Sequence, residues 1–200
     1  MYFQTNCNRA VEGDIKGFFD NINHNILIQS LWNRGIRDKR VLKIIKLMLK
    51  GGIISPLLAN VYLDNFDRYM SREWENKKVS KKYSRDDRRI SSMRLTTNLK
   101  QCYLIRYADD WVILTDSRGN AEKLKYKAQK YLKDILKLDL SLDKPLITNS
   151  KKKSIKFLGV EIKLLPHKGN VKWVNSISPN KEIFKAKIKE LSKKFYIYGK

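Results

Sequence analysis

The sequence predicts an α+β fold, an antiparallel sheet with helices packed on one of its faces. Two short apolar runs meet at an Asp-Asp pair in the centre of the chain, as the strands of a hairpin do. Segments on both sides of this hairpin have apolar residues at helical spacing, and alternating segments lie near each end. The order strand, helices, hairpin, helix, strands is typical of α+β proteins.

Before the hairpin, the patterns predict one strand and three helices. Ser55 suits the cap of the third helix and Pro56 its first position, where the missing N–H costs nothing. Residues 76–100 are rich in Lys, Arg, Ser and Asn without a sustained apolar period, and are expected to form a surface insertion or loop. The predicted elements are a tail or truncated edge over 1–8, a strand over 9–16 ending near Asp14, a turn over 17–22, and helices over 24–32, 38–49 and 57–75, the second of which has a wide apolar face.

The hairpin itself is predicted over residues 102–115, and the remaining patterns alternate between helix and strand. A basic amphipathic segment near the C-terminus carries its apolar residues on one helical face. The elements predicted after the hairpin are a helix over 120–138, a short strand over 139–142, strands over 155–164 and 170–174, and a helix over 179–196.

The charge of the chain favours a polyanionic partner. Its 43 Lys and Arg against 20 Asp and Glu give a net charge of +23, for which nucleic acid is the first candidate and an anionic membrane surface the second. No apolar run approaches the roughly 20 residues of a membrane-spanning helix. The cysteines Cys7 and Cys102 have no metal-type spacing and are expected to be reduced thiols in a bacterial cytoplasm or an organellar matrix.

The adjacent acids Asp109 and Asp110 carry the clearest chemical signal. Two carboxylates at a hairpin tip repel each other unless a cation lies between them, and Mg²⁺ prefers such oxygen ligands. The alternative is an ordinary polar turn. Phosphoryl transfer with two metals, about 3.5–4 Å apart, needs carboxylates from separate segments. Asp14, at a predicted strand end, is the best candidate for the second segment, although such a residue is more often a cap or turn.

Five segments, in order, resemble motifs A to E of the group II intron-encoded reverse transcriptases, and they span roughly residues 9–175. They are Glu12-Gly-Asp-Ile-Lys-Gly-Phe-Phe-Asp-Asn-Ile-Asn-His24, Gly51-Gly-Ile-Ile-Ser-Pro-Leu-Leu-Ala-Asn-Val-Tyr-Leu63, Arg106-Tyr-Ala-Asp-Asp-Trp-Val-Ile-Leu114, Leu140-Ser-Leu-Asp-Lys144 and Lys156-Phe-Leu-Gly-Val-Glu-Ile162. Any one of these motifs could be coincidence, but an ordered set is not.

The resemblance implies a reverse-transcriptase palm over 9–175 with partial fingers, and the start of a thumb helix over 176–200. It implies an RNA-directed DNA polymerase that uses two Mg²⁺ ions to add dNTPs to a DNA primer on an RNA template, which is expected to be intron RNA. The implied catalytic residues are Asp14, Asp109, Asp110 and Lys144, and the three aspartates among them are expected to bind metal. The implied substrate-binding residues are Ile15, Phe19, Lys50, Gly51, Ser55, Pro56 and Tyr107. The implied primer grip consists of Phe157, Leu158 and Gly159.

Individual roles follow from the same resemblance. Phe19 is the expected gate against the 2′-hydroxyl, with a core aromatic as the alternative, and Lys144 is either a proton donor to pyrophosphate or a solvated lysine. Lys50 stands where the family has a Gln that touches the nucleotide, and a hairpin-like segment usual before motif B is missing. A catalytically impaired RNA-binding maturase remnant therefore stays as the second hypothesis. A retron or diversity-generating enzyme is the third.

Overall fold

A computed structural model describes residues 7–48, 55–79, 81–141, 147–167 and 173–198, with the side chains of residues 55–56 and 193–198 outside the description. The strands are β1 (Arg9–Gly13), β2 (Tyr103–Tyr107), β3 (Asp110–Thr115), β4 (Thr148–Asn149), β5 (Ile155–Phe157), β6 (Val160–Pro166) and β7 (Trp173–Pro179). The helices are α1 (Phe18–Asn21), α2 (His24–Asn33), α3 (Lys39–Met48), α4 (Ser55–Ser71), α5 (Asp86–Thr96), α6 (Arg118–Asp134) and α7 (Lys181–Tyr198).

The strands form two antiparallel sheets. One has the order β2-β3-β1-β4 and the other the order β5-β6-β7. In the larger sheet, β1 pairs with β3 from Arg9 opposite Thr115 to Gly13 opposite Trp111. The predicted α+β class with antiparallel pairing is confirmed, and the predicted hairpin corresponds to β2 and β3.

Helices α4 and α6 cover the larger sheet because each carries an apolar stripe at helical spacing. The fully buried side chains of α6 are Ala121, Leu124, Ala128 and Leu132, and those of α4 include Tyr62, Phe66 and Met70. Spacings of three and four residues place such side chains on one face of a helix. Both helices contact the sheet and each other, so β3, which lies beneath them, is buried from Trp111 to Thr115.

The prediction of a loop over 76–100 is wrong for its second half, which contains helix α5. Only Met93 of this helix is buried, so its sequence has no apolar period to reveal it. Polar contacts hold the helix instead. The guanidinium of Arg89 donates to the backbone carbonyl of Glu75 and, at 3.2 Å, to that of Lys77. Asp86 and Asp87 in the first turn also favour a helix, because carboxylates stabilise the positive end of its dipole.

Three other predictions need correction. The single strand predicted over 155–164 is the hairpin β5–β6, which turns at Leu158 and Gly159 with φ of 51° and 76°. Instead of a strand over 139–142, Leu140 forms one isolated bridge with Ile15. The broad apolar face predicted for α3 buries Leu42 and Ile45 alone among its described residues. Its exposed apolar residues are Val41, Ile44, Leu47 and Met48.

Cys7 and Cys102 are buried free thiols, as expected for a reduced protein. Burial raises the pKa of the Cys102 thiol well above its usual range, so the group stays protonated. None of the described helices is long and apolar enough to cross a membrane.

Candidate active site

The two adjacent aspartates lie where β2 turns into β3. Tyr107 pairs with Asp110, so Ala108 and Asp109 form a two-residue turn. Ala108 has a φ of 51°, in the left-handed region. A residue with a Cβ atom adopts this conformation at a cost of roughly 1–2 kcal/mol, so the turn needs support from its surroundings.

Asp14 reaches the same edge of the sheet from β1. Gly13 pairs with Trp111 as the last pair of the antiparallel ladder, so Asp14 directly follows β1 at the edge of the sheet where Asp110 begins β3. The chain around Asp14 is anchored by Ser141 N–H, which donates to the Asp14 carbonyl at 2.9 Å, and by Lys16 N–H, which donates to the Asp139 carbonyl at 3.0 Å.

Gly13 makes this close pairing possible. A Cβ atom at position 13 would lie 2.0–2.5 Å from three atoms of the Trp111 ring. Real carbon atoms do not approach so closely, so the indole of Trp111 packs directly on the backbone of Gly13. Only glycine therefore fits immediately before Asp14.

The donor set suits a hard divalent cation. No group of three or more His, Cys, Asp or Glu side chains is arranged to hold a metal ion within the described ranges. Magnesium, however, is usually bound by one or two carboxylates together with substrate phosphates and water. Asp14 after the end of β1, Asp110 at the start of β3 and Asp109 in the turn offer carboxylates of this kind at one edge of the sheet.

Arg106, Asp67 and Asn60 form a network around the turn that sequence analysis missed. Arg106 Nε and Nη2 donate to the two carboxylate oxygens of Asp67 at 2.7 and 2.6 Å. Arg106 Nη1 donates to Asn60 Oδ1 at 3.1 Å and to the Ala108 carbonyl at 2.7 Å. A hydrogen bond from a charged donor contributes about 1.5–3 kcal/mol, which is comparable to the cost of the left-handed turn.

A signal for part of this network was present in the sequence. Asn60 and Asp67 are seven residues apart and thus share a face of α4. Nothing local shows that this face meets the hairpin, because Arg106 is 39 residues beyond Asp67 along the chain.

The aromatic pair after Asp14 divides as expected between core and surface. Phe18 is 1% exposed and packs edge-to-face on Phe19, whose ring is 43% exposed, with ring centroids 5.2 Å apart. Ile15 is buried. The hydrogen bonds of its bridge to Leu140 involve the neighbouring Lys16 amide and Asp14 carbonyl and not the Ile15 amide. Tyr107 is exposed beside the turn.

The proposed primer-grip residues occupy the β5–β6 turn. This turn is linked to β1, because Glu12 Oε2 accepts a bond of 3.2 Å from the Lys156 amide. It is linked to α7 by Asn180, whose amide donates to the Gly159 carbonyl at 2.8 Å. The Asn180 side chain also accepts from the amides of Glu182 and Ile183, and so caps α7.

Several predicted site residues lie outside the description. They are Lys50, Gly51 and Lys144. Ser55 and Pro56 begin α4 as predicted, but their side chains are also outside it. The described candidates that share the catalytic edge are therefore Asp14, Asp109, Asp110 and Tyr107.

Comparison with known proteins identifies the family. The model of the family described as reverse transcriptase (RNA-dependent DNA polymerase) matches residues 3–162. The group II intron-encoded protein LtrA of Lactococcus lactis is 30% identical in an alignment of 209 positions, which covers 77% of this chain and 35% of LtrA. A putative COX1/OXI3 intron 2 protein of Saccharomyces cerevisiae is 26% identical, covering 80% of this chain and 24% of that protein. The predicted resemblance to group II intron proteins is confirmed, and the chain spans about a third or less of these relatives' lengths.

Proposed function

This chain belongs to the reverse transcriptase (RNA-dependent DNA polymerase) family, and we propose that it is an RNA-directed DNA polymerase of the group II intron type. The observation that carries the proposal is the register of β1 and β3, which ends at Gly13 opposite Trp111 and so brings the chain position of Asp14 to the edge that carries Asp109 and Asp110. We propose that it acts on intron RNA, in a bacterial cytoplasm or an organellar matrix.

In the proposed reaction, Asp14, Asp109 and Asp110 hold two Mg²⁺ ions. When bound, these supply activation of the primer 3′-hydroxyl and stabilisation of the pyrophosphate that leaves. The protein's own contribution is to fix the carboxylates at the ends of two paired strands. The β5–β6 turn, tied to β1 and α7, positions the primer through shape rather than through reactive groups.

Phe19 is proposed as the gate that excludes ribonucleotides. Its exposed ring leans on the buried Phe18, which fills the core and fixes the direction of the Phe19 ring. We expect Phe19→Ala to lower the preference for dNTPs over rNTPs by about 10–200-fold, the range in which steric pockets discriminate. Competitive single-nucleotide incorporation measures this preference. Phe18→Ala is the matched control and should lower stability instead; unchanged sugar discrimination in the Phe19 variant would reject the gate.

A basic cleft of about 660 Å³ at the end of α4 supports RNA binding. Its lining residues are Arg68, Ser71, Arg72, Asn76, Lys77 and Lys78, and none of them is acidic. Arg89 of α5 holds the loop that carries Lys77 through the carbonyls of Glu75 and Lys77. The cleft lies near the start of β2, because Trp74, which lies between the cleft residues Arg72 and Asn76 in the chain, donates to the Tyr103 hydroxyl at 3.0 Å. The turn that carries Asp109 follows the other end of β2.

Phosphate contacts in this cleft predict a specific salt dependence. The triple variant Arg72→Ala/Lys77→Ala/Lys78→Ala removes three cations, and each phosphate contact to a single strand contributes about 0.7 to the slope of log K against log salt. We expect the slope to fall by about 2 in fluorescence-anisotropy titrations with RNA. Lys123→Ala/Lys130→Ala/Lys133→Ala on α6 removes equal charge elsewhere. Equal slopes for the two triple variants would show that the cleft has no special role.

Primer extension tests the proposed function as a whole. Oligo(dT) on poly(rA), with dTTP and Mg²⁺, should be extended by the protein and not by Asp109→Ala. Absence of extension together with tight, salt-sensitive RNA binding would favour the second candidate, a catalytically impaired maturase remnant. The basic cleft serves that function equally well.

A further inference from the structure

We propose that Arg106 is the positioning residue that holds the catalytic turn in the conformation that binds metal. The inference rests on the proposed function, because the metal in question is the one that the polymerase reaction uses. It assigns a role to a side chain that touches neither substrate nor reacting atoms. The role follows from what the guanidinium contacts and from how completely it is engaged.

The guanidinium is enclosed and used on every nitrogen. The Arg106 side chain is only 9% exposed. Nε and Nη2 bind both oxygens of Asp67, and Nη1 binds Asn60 and the Ala108 carbonyl. One planar group thus joins the hairpin to two positions on α4 that are about two helical turns apart.

The contact with Ala108 controls the peptide unit that leads into Asp109. The carbonyl of Ala108 and the amide of Asp109 belong to one planar group, so fixing the oxygen fixes the plane. Ala108 adopts an unfavourable left-handed φ of 51°, which the turn would otherwise tend to leave. Arg106 therefore sets the direction in which the Asp109 side chain leaves the turn.

Charge pairing lets Arg106 do this without opposing a metal ion. An unpaired guanidinium this close to Asp109 and Asp110 would compete with a divalent cation for them. Asp67 accepts two short hydrogen bonds from Arg106 and neutralises it. The Arg106–Asp67 pair can thus support the turn without competing with a metal ion for the carboxylates of Asp109 and Asp110.

Lysine cannot replace this arginine. Its ammonium keeps the positive charge, but it lacks the planar set of donors that spans Asp67, Asn60 and Ala108 at once. Arg106→Lys consequently separates geometry from charge. Arg34→Lys is the matched control, because Arg34 also binds a carboxylate of α4, that of Asp64, and a backbone carbonyl, that of Ser30, but at the end of α2.

Terbium binding tests the inference independently of polymerase activity. Tb³⁺ is a hard cation whose luminescence is sensitised by nearby aromatic rings, and Tyr107 and Trp111 flank the turn. Wild type, Arg106→Lys and Arg34→Lys are titrated, and the signal that Asp110→Asn abolishes is taken as the catalytic site. Primer extension against Mg²⁺ concentration and thermal melting are measured on the same samples.

We expect Arg106→Lys to weaken Tb³⁺ binding at least about 10-fold and to lower kcat about 100-fold, the range found when groups that orient metal ligands are changed. KM for the primer–template should stay within about twofold, as should all three parameters of Arg34→Lys. If Arg106→Lys does not fold, Asp67→Asn is expected to show the same pattern. A purely structural role would lower the melting temperature of the Arg106 and Arg34 variants alike and leave metal affinity unchanged.

The outcomes separate this inference from the proposed function. Wild-type Tb³⁺ affinity in the Arg106→Lys protein overturns the inference, whether or not the wild type extends a primer. Absence of any Asp110-dependent Tb³⁺ signal in the wild type overturns it as well. Weakened Tb³⁺ binding in Arg106→Lys, with no primer extension by the wild type, supports the positioning role and rejects the polymerase.

Discussion

Asp110→Asn is expected to abolish primer extension, by on the order of 10³-fold or more, while RNA affinity stays nearly intact. The loss follows because the carboxylate at the start of β3 is replaced by an amide of the same shape that carries no charge. Removing one group that stabilises transition-state charge costs about 10²–10³-fold, and this group also binds the metal that stabilises that charge. Steady-state extension with Mg²⁺ and anisotropy with labelled RNA measure the two quantities on one preparation.

Asp116→Asn is the control for this variant, since Asp116 follows the other end of β3. It accepts hydrogen bonds from Thr115 and Asn120, and lies roughly 20 Å from Asp110 along the strand direction. It should keep wild-type activity. Melting temperatures of Asp110→Asn and wild type should agree within about 3 °C, equivalent to about 1 kcal/mol. If the Asp110→Asn protein is unfolded, Asp110 has a structural role. If the variant keeps a tenth of the wild-type activity, Asp110 is not a metal ligand.

The fold was predictable wherever burial is periodic. The hairpin, α2, α4 and α6 follow from apolar spacing, because each buries one face against its neighbours. Helix α5 was not predictable, since polar contacts from Arg89 rather than burial hold it in place. The β5–β6 turn was not recognised because a leucine, Leu158, occupies the first of its two left-handed positions, where turns usually have Gly or Asn.

The sequence indicated which residues belong to the candidate site, but not how they are arranged in space. Motif order indicated Asp14, Asp109 and Asp110, whereas their alignment depends on the register of β1 against β3. That register is fixed by burial along both strands and by Gly13 beneath Trp111. The Arg106–Asp67 pair depends on how α4 crosses β2, which no local pattern encodes.

Backbone strain coincides with the two proposed functional turns. Among the described residues, the non-glycine positions with positive φ are Ala108, Lys137 and Leu158. Ala108 lies in the aspartate turn and Leu158 in the proposed primer grip. Such conformations persist only where the surroundings enforce them. Arg106 does so at the first turn, and Asn180, which donates to the Gly159 carbonyl, at the second.

Gly13→Ala is expected to have the largest effect on stability of any substitution of comparable size. The new methyl would meet the buried Trp111 ring, which packs edge-to-face on Phe66 at 5.6 Å and has no room to move. Overpacking a core costs about 1–3 kcal/mol, and we expect the upper end, a fall of roughly 6–12 °C in melting temperature. Activity should fall further than stability requires, because the strain separates Asp14 from Asp110.

Two comparisons isolate the cause. Gly119→Ala, in the first turn of α6 with no neighbouring atom within 4 Å of its new Cβ, should be neutral or stabilising by up to about 1 kcal/mol. Trp111→Phe removes part of the ring that the methyl would strike, so Gly13→Ala should cost less in that background than in wild type. Additive losses in the double variant would mean that the Gly13 requirement arises from the backbone and not from the ring. In that case the alignment of Asp14 with Asp110 would depend on strand conformation alone, and Trp111 could be exchanged without moving the carboxylates.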